Sequence, residues 1–302
     1  MKFISQAQEI SYAATIPLTE DCTIIHGDSR IELAKMPEKV FQCCVTSPPY
    51  WGLRDYDTDN QIGAEKCLEE YIDDLVLVFR EVRRTLADDG TLWLNIGDSY
   101  TSGNRTWRDT DKKNPARGMD YRPPTPDGLK PKDLIGVPWR LAFALQADGW
   151  YLRSDIVWHK PNCQPESVKD RPTRSHEYMF LLSKSERYYY DGEAIKESTY
   201  TNGQTKNKRT VWFMNALETV WNVNTEPFKG AHFAVFPRSL IRPCILAGSK
   251  EGSLVLDPFF GSGTTGEVCL ELGRKCVGIE LKSEYIDIAN NRLKNSQLQL
   301  SV

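Results

Sequence analysis

The 302-residue sequence lacks the features that mark several classes of protein. No apolar run approaches the roughly 20 residues that a membrane-spanning helix needs, and the N-terminal segment has no continuous apolar stretch typical of a signal peptide. None of the eight cysteines forms a C-x-x-C pair, and the four histidines show no H-x-x-x-H spacing. We therefore expect no membrane association, no disulfide framework and no metal, but buried, reduced thiols typical of a cytosolic protein.

Composition and charge are those of an ordinary globular protein, with 40% apolar and 26% charged residues. The net charge of −3 hides two basic stretches. Residues 101–175 carry 14 Lys and Arg against nine Asp and Glu, and residues 201–250 carry seven against two. Such stretches are suited to a polyanion such as nucleic acid, and a solvated surface of uneven charge is the alternative.

Short β-rich runs alternate with helical periodicity along most of the chain. This alternation predicts an α/β sheet with crossover connections, and the length of the chain allows one large domain or two small ones. The predicted strands lie at 23–28, 41–46, 91–96, 154–158, 177–182, 253–256 and 275–279, and the predicted helices at 71–86, 134–148, 263–272 and 283–293. Two polar stretches, 103–131 and 191–229, fit neither pattern, and long irregular segments in such a domain are usually functional or mobile.

A glycine-rich turn, DPFFGSGTTG at 257–266, follows a predicted strand. A strand, a glycine turn and a helix in succession let the backbone approach a nucleotide-like ligand at the carboxyl edge of the sheet. No lysine follows the glycines, which argues against a P-loop nucleoside triphosphatase. The turn indicates an adenosine-containing cofactor, with Glu280 placed to take two ribose hydroxyls. Its G-x-G-x-x-G spacing leaves an NAD-dependent oxidoreductase open, as well as a tight turn that binds nothing.

A second motif, Ser47-Pro48-Pro49-Tyr50, ends the predicted strand at 41–46. Two prolines remove two N–H donors and hold the chain extended, so nearby carbonyls can lack backbone partners. A hydroxyl, an exposed carbonyl and an aromatic ring side by side are suited to accept hydrogen bonds from an exocyclic amine and to stack on its ring. A rigid turn with a packing tyrosine is the alternative for the motif taken alone.

Together, the two motifs make the sequence similar to the bacterial and phage amino-DNA methyltransferases, which methylate an exocyclic nitrogen of cytosine or adenine. Residues 46–50 resemble the catalytic [S/D/N]-P-P-[Y/F/W] motif, and residues 257–265 resemble the S-adenosylmethionine (AdoMet) motif. The resemblance runs from about residue 22 to residue 293, in the permuted motif order called the β class. It implies a Rossmann-like AdoMet-dependent methyltransferase fold, with a mainly parallel seven-stranded sheet and helices on both faces. It also implies a single domain that spans residues 1–302.

The resemblance also implies roles for individual residues. Ser47, Pro48, Pro49 and Tyr50 would be catalytic: Ser47 and the Pro48 carbonyl would bind the two amine hydrogens, and Tyr50 would stack on a base flipped out of the duplex. The implied AdoMet-binding residues are Asp28, His232, Phe236, Pro237, Asp257, Pro258, Phe259, Gly261, Ser262, Gly263, Thr264, Thr265 and Glu280. Residues 158–162 resemble the segment beside the target-base pocket, although Trp158 is equally well explained as core.

The implied reaction is direct methyl transfer to a base in double-stranded DNA, without a metal or a covalent intermediate. Ser47 favours cytosine N4, because aspartate usually accompanies adenine at this position in the family, and adenine N6 is the alternative. Methylation at ring carbon C5 would need a cysteine nucleophile, but the Pro-Cys pair at 243–244 lies in an apolar run that indicates core.

The implied partners follow from the same resemblance. We expect the polar stretches 103–131 and 191–229 to be DNA-recognition insertions that contact phosphates and read bases. We also expect a cytoplasmic monomer or homodimer in a bacterial or phage-infected cell, with a cognate restriction endonuclease as a functional partner. A non-catalytic DNA-binding protein on the same fold is the remaining alternative of another class.

Overall fold

The computed structural model describes residues 15–19, 21–53, 61–101, 123–163, 166–198, 204–212, 214–215, 218–221 and 236–300. The described strands are β1 Thr15–Thr19, β2 Cys22–His26, β3 Phe41–Thr46, β4 Leu86–Ile96, β5 Tyr151–His159, β6 His176–Ser183, β7 Glu197–Ser198, β8 Thr205–Lys206, β9 Val211–Trp212, β10 Met214–Asn215, β11 Glu218–Trp221, β12 Leu254–Asp257 and β13 Lys275–Glu280. The described α-helices are α1 Ser29–Ala34, α2 Leu68–Thr85, α3 Val137–Ala147, α4 Arg238–Gly248, α5 Thr264–Glu271 and α6 Ser283–Leu300.

A nine-stranded sheet, in the order β1-β2-β13-β12-β3-β4-β6-β5-β9, crosses the molecule. The run from β2 to β4 is parallel, β6 is antiparallel to both of its neighbours, and β9 adds in parallel to β5. The predicted mainly parallel α/β sheet is therefore confirmed. The seven predicted strands form its middle, and two short edge strands, β1 and β9, extend it beyond the prediction.

The core lies on both faces of this sheet, because successive strand residues point to opposite sides. On β4, Leu92 and Leu94 belong to one buried cluster and Trp93 to the other. Residues of α1, α2 and α3 complete the first cluster, and residues of α4, α5 and α6 complete the second. Helices therefore cover both faces, as expected for strands joined by crossover connections.

The boundary between α2 and β4 differs from the prediction, which placed a break at 88–90 between helix and strand. The helix ends at Thr85, and β4 begins at once with Leu86. Leu86 is fully buried and pairs with Phe41, so its burial favours the earlier start of the strand. The polar residues at 88–89 are exposed, and the register with β3 shifts across this region before Thr91 pairs with Cys43.

Two short antiparallel strand pairs, β7 with β8 and β10 with β11, lie within the stretch 191–229. Most of the stretch 103–131 and parts of 191–229 lie outside the described residues, so their prediction as DNA-recognition insertions stays a prediction. None of the described helices combines the length and the apolar character needed to cross a membrane. Within the described ranges, no group of three His, Cys, Asp or Glu side chains is arranged to hold a metal ion.

Candidate active site

The two sequence motifs meet because β3 and β12 are neighbouring parallel strands. Cys44 pairs with Leu256, so both strands end at the same edge of the sheet. Just beyond this pair, the Thr46 hydroxyl donates to Asp257 Oδ1 at 2.6 Å. The Ser-Pro-Pro-Tyr segment leaves β3 and the glycine turn leaves β12 from this joint.

Asp257 forms the contact between the ends of the two strands, and this residue is only 1% exposed. Besides Thr46, the Thr265 hydroxyl donates to Oδ2 at 2.6 Å and the Phe259 N–H donates to Oδ1 at 3.1 Å. Burial raises the pKa of Asp257 to about 6, even though these three hydrogen bonds favour the carboxylate. The side chain thus connects the end of β3 to the glycine turn and to the start of α5.

The glycine turn is packed against β13 through Phe260, which is buried. A Cβ atom on Gly278 would lie 2.2 Å from the Phe260 ring, so only glycine permits this contact. The Phe260 N–H donates to the Ile279 carbonyl at 2.9 Å and holds the turn along the end of β13. The backbone of the glycine turn is therefore held against the end of β13.

Glu280, at the end of β13, fixes the same turn from the side of the cavity. Its Oε2 accepts from the Gly261 N–H and its Oε1 from the Lys282 N–H, both at 2.8 Å. The residue is 9% exposed, and burial raises the pKa of its carboxyl group. Each carboxylate oxygen has a further lone pair for a hydroxyl donor in the cavity.

Asp28 follows the neighbouring strand β2 and caps the N-terminus of α1. Its side chain accepts from the Arg30 N–H at 2.8 Å and forms an ion pair with the Arg30 guanidinium at 2.6 Å. The Ser29 hydroxyl donates to the Pro258 carbonyl, which joins this helix to the glycine turn. Asp28 is thus held at the rim by its capping role.

In the Ser-Pro-Pro-Tyr segment, the Tyr71 hydroxyl donates to the Pro49 carbonyl at 2.8 Å, and the Leu53 N–H donates to the Tyr50 carbonyl at 3.3 Å. Within the described part of the chain, no donor is bonded to the Pro48 carbonyl. The double proline thus leaves one acceptor available, as the motif predicts.

A single cavity brings the two motifs together. Its walls are formed by Asp28, Ser29, Ser47, Pro48, Pro49, Tyr50, Leu53, Gln61, Ile62, Phe236, Pro258, Phe259, Phe260, Gly261, Ser262, Thr264, Ile279, Glu280, Leu281, Lys282 and Tyr285. All four predicted catalytic residues are in this set, together with most of the residues predicted to bind AdoMet.

Four predicted AdoMet-binding residues lie outside the walls of this cavity. Asp257 and Thr265 bond to each other beneath the turn, Gly263 precedes α5, and Pro237 stands at the N-terminus of α4. His232 lies outside the described residues.

Several wall residues were missed by sequence reasoning. Ser29, Leu281 and Lys282 follow predicted site residues directly, so their place in the chain could have indicated them. Gln61, Ile62 and Tyr285 carry no such local signal, because they reach the cavity only through the tertiary fold.

Trp158 is 2% exposed and belongs to the core, in agreement with the second of its two interpretations. Lys160, two residues further along the chain, is linked to Tyr50 through Glu177. Lys160 places its ammonium 4.2 Å from the centre of the Trp158 ring and forms an ion pair with Glu177. Glu177 in turn accepts a hydrogen bond from the Tyr50 hydroxyl at 2.9 Å.

Comparison with known proteins places the chain among DNA-modifying enzymes. A family model described as DNA methylase matches residues 41–291. The type II methyltransferase M.SmaI of Serratia marcescens is 66% identical over 272 residues, which cover 90% of each protein. M.Cfr9I of Citrobacter freundii, also a type II methyltransferase, is 63% identical over 272 residues, covering 90% of this chain and 87% of that protein.

Solved structures show the same fold at low sequence identity. The PvuII DNA methyltransferase (cytosine-N4-specific) superposes with a TM-score of 0.65 at 19% identity and covers 95% of each chain. The putative DNA modification methylase TTHA0409 of Thermus thermophilus, complexed with S-adenosyl-L-methionine, gives a TM-score of 0.59 at 22% identity, covering 90% of this chain and 93% of that one. With the match of the family model and the identity to the type II enzymes, the conclusion is that this chain belongs to the N6/N4 DNA methylase family and is a DNA methyltransferase.

Proposed function

We propose that this enzyme transfers the methyl group of AdoMet to the exocyclic N4 amine of cytosine in double-stranded DNA, at a specific site. The observation that carries the proposal is the cavity shared by Ser47, the Pro48 carbonyl and the glycine turn. Donor and acceptor of a methyl group have to meet in one place for direct transfer, and well-oriented reactants can reach effective molarities on the order of 10⁵ M.

The cavity fits AdoMet by the chemistry of its walls. Glu280 and Asp28 offer carboxylate acceptors suited to hydroxyl and amine hydrogens, and Phe236 and Ile279 offer apolar surface suited to a purine ring. The Gly261 N–H donates to Glu280, and a Cβ atom on Gly261 would meet no described side chain within 4 Å. When bound, AdoMet supplies an electrophilic methyl group on a positively charged sulfur, which requires no metal.

The catalytic side of the cavity supplies two hydrogen-bond acceptors. In this proposal Ser47 Oγ and the Pro48 carbonyl, both in the cavity walls, bind the two hydrogens of the amine, which directs the nitrogen lone pair away from the base ring. Preorganised groups of this kind contribute most of the rate in many enzymes, because they need not reorient during the reaction.

The cavity walls contain no cysteine among the described residues, which agrees with transfer that forms no covalent intermediate. The nearest thiols in the chain belong to Cys43 and Cys44 on β3, which are fully buried. Burial raises the pKa of both thiols, so neither is a reactive thiolate. Cys244 is likewise buried in the core, which agrees with the interpretation of the Pro-Cys pair as core.

The amine of a paired base is inaccessible, so the target must rotate out of the duplex at a cost of a few kcal/mol. The Tyr50 ring lines the cavity and is suited to stack on the extruded base. The basic stretches at 101–175 and 201–250 would contact DNA phosphates, which predicts affinity that falls steeply with salt. In the cell we propose a cytoplasmic enzyme, monomeric or dimeric, that protects DNA from a cognate restriction endonuclease.

Ser47 favours cytosine N4 over adenine N6, because it stands where the adenine enzymes of the family usually have aspartate. The test is to treat duplex DNA with purified protein and isotopically labelled AdoMet, digest it to nucleosides and identify the labelled product by mass spectrometry. We expect N4-methylcytosine, with no product when AdoMet is omitted. Labelled N6-methyladenine alone would establish the adenine alternative, and tight binding of NAD with none of AdoMet would contradict both.

A further inference from the structure

The hydroxyl of Tyr50 has a partner that its ring alone does not require. The family motif admits Phe, Tyr or Trp at this position, so stacking on a base needs only an aromatic ring. In this chain the Tyr50 hydroxyl donates to Glu177 Oε2 at 2.9 Å. Burial and the neighbouring Glu177 raise the pKa of Tyr50, so the hydroxyl keeps the proton that it donates. The far end of the ring is therefore tied to one carboxylate.

Glu177 reaches this ring because β6 runs against its two neighbours in the sheet. β6 is antiparallel to β4 and to β5, so its first residues lie at the edge where those two strands end. Glu177 pairs with Trp158 near the end of β5, and the Ser-Pro-Pro-Tyr segment leaves β3 at the same edge. A parallel strand in this place would carry its first residues to the opposite edge, away from Tyr50.

Glu177 is itself held by two further side chains. The Lys160 ammonium forms an ion pair with Oε1, and the Asn95 amide donates to Oε2 at 3.4 Å and to the Tyr178 carbonyl at 3.0 Å. Only 16% of the Glu177 side chain is exposed, so solvent weakens these interactions little. The carboxylate is thus a fixed point to which the Tyr50 hydroxyl is bonded.

Gly97, the residue after β4, leaves the space in which the Tyr50 ring and Glu177 meet. A Cβ atom there would lie 2.8 Å from Cε2 of the Tyr50 ring and 3.1 Å from the Glu177 carboxyl carbon. The methyl group of an alanine would therefore force the ring to move, because a packed site takes up an added carbon only by displacing its neighbours. The absence of a side chain at Gly97 and the hydrogen bond from Glu177 together define the place of the ring.

We propose that Glu177 is a positioning residue, which holds the Tyr50 ring through this hydrogen bond in the place where the ring stacks on the extruded base. The inference rests on the proposed function, because that function assigns the stacking to Tyr50, but it applies to either target base. A ring held in place fixes the base, and with it the amine, relative to the methyl group, and a misplacement of about 1 Å can cost about 10²-fold in rate. Glu177 itself is not among the cavity walls and needs no contact with substrate.

The experiment compares the single-turnover rate constants of methyl transfer for Glu177→Ala and Glu177→Gln, at saturating AdoMet and duplex DNA. Alanine removes the partner of the Tyr50 hydroxyl, whereas glutamine still offers it a hydrogen bond. We expect Glu177→Ala to lower the rate constant on the order of 10- to 100-fold and Glu177→Gln less than about three-fold, with the affinity for AdoMet changed less than about two-fold in both. The matched control is Glu81→Ala, an ion-paired glutamate on α2 outside the cavity walls, which should retain the parental rate.

Tyr50→Phe removes the same hydrogen bond from its other end and keeps the ring. Because both changes cut one bond, combining Tyr50→Phe with Glu177→Ala should lower the rate no further than the slower single variant. Tyr188→Phe is the matched control, since its hydroxyl accepts from Arg153 outside the cavity walls, and it should keep the parental rate. A parental rate in either Tyr50→Phe or Glu177→Ala would overturn the proposal. Losses that multiply in the double variant, or equal losses in Glu177→Gln and Glu177→Ala, would also overturn it.

Crystal structures of Glu177→Ala and Gly97→Ala measure the position of the ring directly. We expect the Tyr50 ring to be displaced by about 1 Å or more in each, once by loss of the hydrogen bond and once by the added methyl group, with a lower rate in both. An unmoved ring in Glu177→Ala would contradict the proposal, and so would a displaced ring in Gly97→Ala with the parental rate.

Tyr50→Ala separates this proposal from the proposed function. A parental rate in Tyr50→Ala would overturn both, because no ring would then be needed for the reaction. Lost activity in Tyr50→Ala, together with parental rates in Tyr50→Phe and Glu177→Ala, would refute only the role of Glu177. An adenine product from the parental enzyme would correct the target base and leave the comparison of variants unchanged.

Discussion

The two sides of the cavity are built in different ways. On the cofactor side, the glycine turn is held mainly through its backbone, with Gly261 donating to Glu280 and Phe260 donating to Ile279. On the catalytic side, the geometry depends on side chains, with Tyr50, Glu177 and Lys160 joined in series. A backbone-defined surface is suited to bind one constant ligand, while side-chain hydrogen bonds set the orientation of reacting atoms. Substitutions on the two sides should therefore affect affinity and rate separately.

The largest effect should come from Ser47→Ala on the catalytic side. Loss of one preorganised hydrogen-bonding group should lower kcat on the order of 10³-fold, or about 4 kcal/mol of transition-state stabilisation. The affinity for AdoMet, measured by calorimetry, should change less than about two-fold. The matched control is Ser185→Ala, whose hydroxyl bonds the Asp88 carbonyl outside the cavity. A Ser47 variant with undiminished kcat would remove this residue from the mechanism.

The stability of the protein should depend on pH through Asp257, which connects the two sides of the cavity. The folded-state pKa of Asp257 is about 6, above the ordinary value of 3.8, so between these values the folded protein holds a proton that the unfolded chain releases. Asp257 makes its full contribution to the free energy of unfolding below about pH 4, and this contribution is lost as the pH rises through about 6. The difference between the two pKa values corresponds to about 3 kcal/mol in the free energy of unfolding.

Asp257→Asn removes this titration and retains acceptor and donor groups at the joint. The difference in free energy of unfolding between parent and variant, measured by denaturant titration, should fall by up to about 3 kcal/mol between pH 4 and pH 6. Glu280 has a pKa raised in the same direction, but it is present in both proteins and cancels in the difference. A difference that stays flat over this range would contradict the raised pKa of Asp257.

A smaller effect is expected from Glu280→Gln on the cofactor side. Glutamine offers only one oxygen, so one of the two backbone N–H groups now bonded to Glu280 loses its acceptor. The dissociation constant of AdoMet should rise on the order of 10-fold, equivalent to about 1.4 kcal/mol, while kcat at saturating AdoMet should change less than about three-fold. Glu284→Gln, exposed on the first turn of α6, is the control. A loss confined to kcat would reverse the assignment of the two sides.

The smallest effect should follow Arg292→Lys. Arg292 on α6 donates to the Ser262 carbonyl at 3.0 Å and forms an ion pair with Glu267, so it holds the glycine turn from outside the cavity. Lysine keeps the charge but lacks the planar group that bonds both partners. We expect the affinity for AdoMet to fall on the order of 3-fold, less than about 1 kcal/mol. Arg242→Lys, an exposed partner of Glu271, should leave that affinity unchanged, and equal losses in both would argue against a specific role.

The sequence predicts the glycine turn and the Ser-Pro-Pro-Tyr segment because each is local: a strand ends and a short motif follows. The same reasoning places both at the carboxyl edge of a mainly parallel sheet, as observed for β3 and β12. The AdoMet role that the resemblance implies for Asp257 stays a prediction, and the structure adds that its side chain lies beneath the turn, bonded to Thr46 and Thr265. Spacing along the chain does not reveal which way a side chain at a strand end points.

Lys160 lies in the segment 158–162 that the resemblance places beside the target-base pocket, but Glu177 was not predicted as part of the site. Glu177 is the second residue of β6 and is 127 residues from Tyr50 along the chain, so no local pattern connects them. Their contact depends on the position of β6 between β4 and β5, which is a property of the sheet order. Similarly, Gln61 and Tyr285 reach the cavity from separate elements, and only the tertiary fold identifies them.

The most direct test of the shared cavity is a crystal structure of the enzyme with S-adenosylhomocysteine and a duplex that carries its methylation site. We predict a target cytosine outside the helix, with its N4 within about 3 Å of both Ser47 Oγ and the Pro48 carbonyl oxygen and the cofactor sulfur in the same cavity, above the glycine turn. A target base that remains stacked in the duplex, or an amine bound away from both acceptors, would contradict the account.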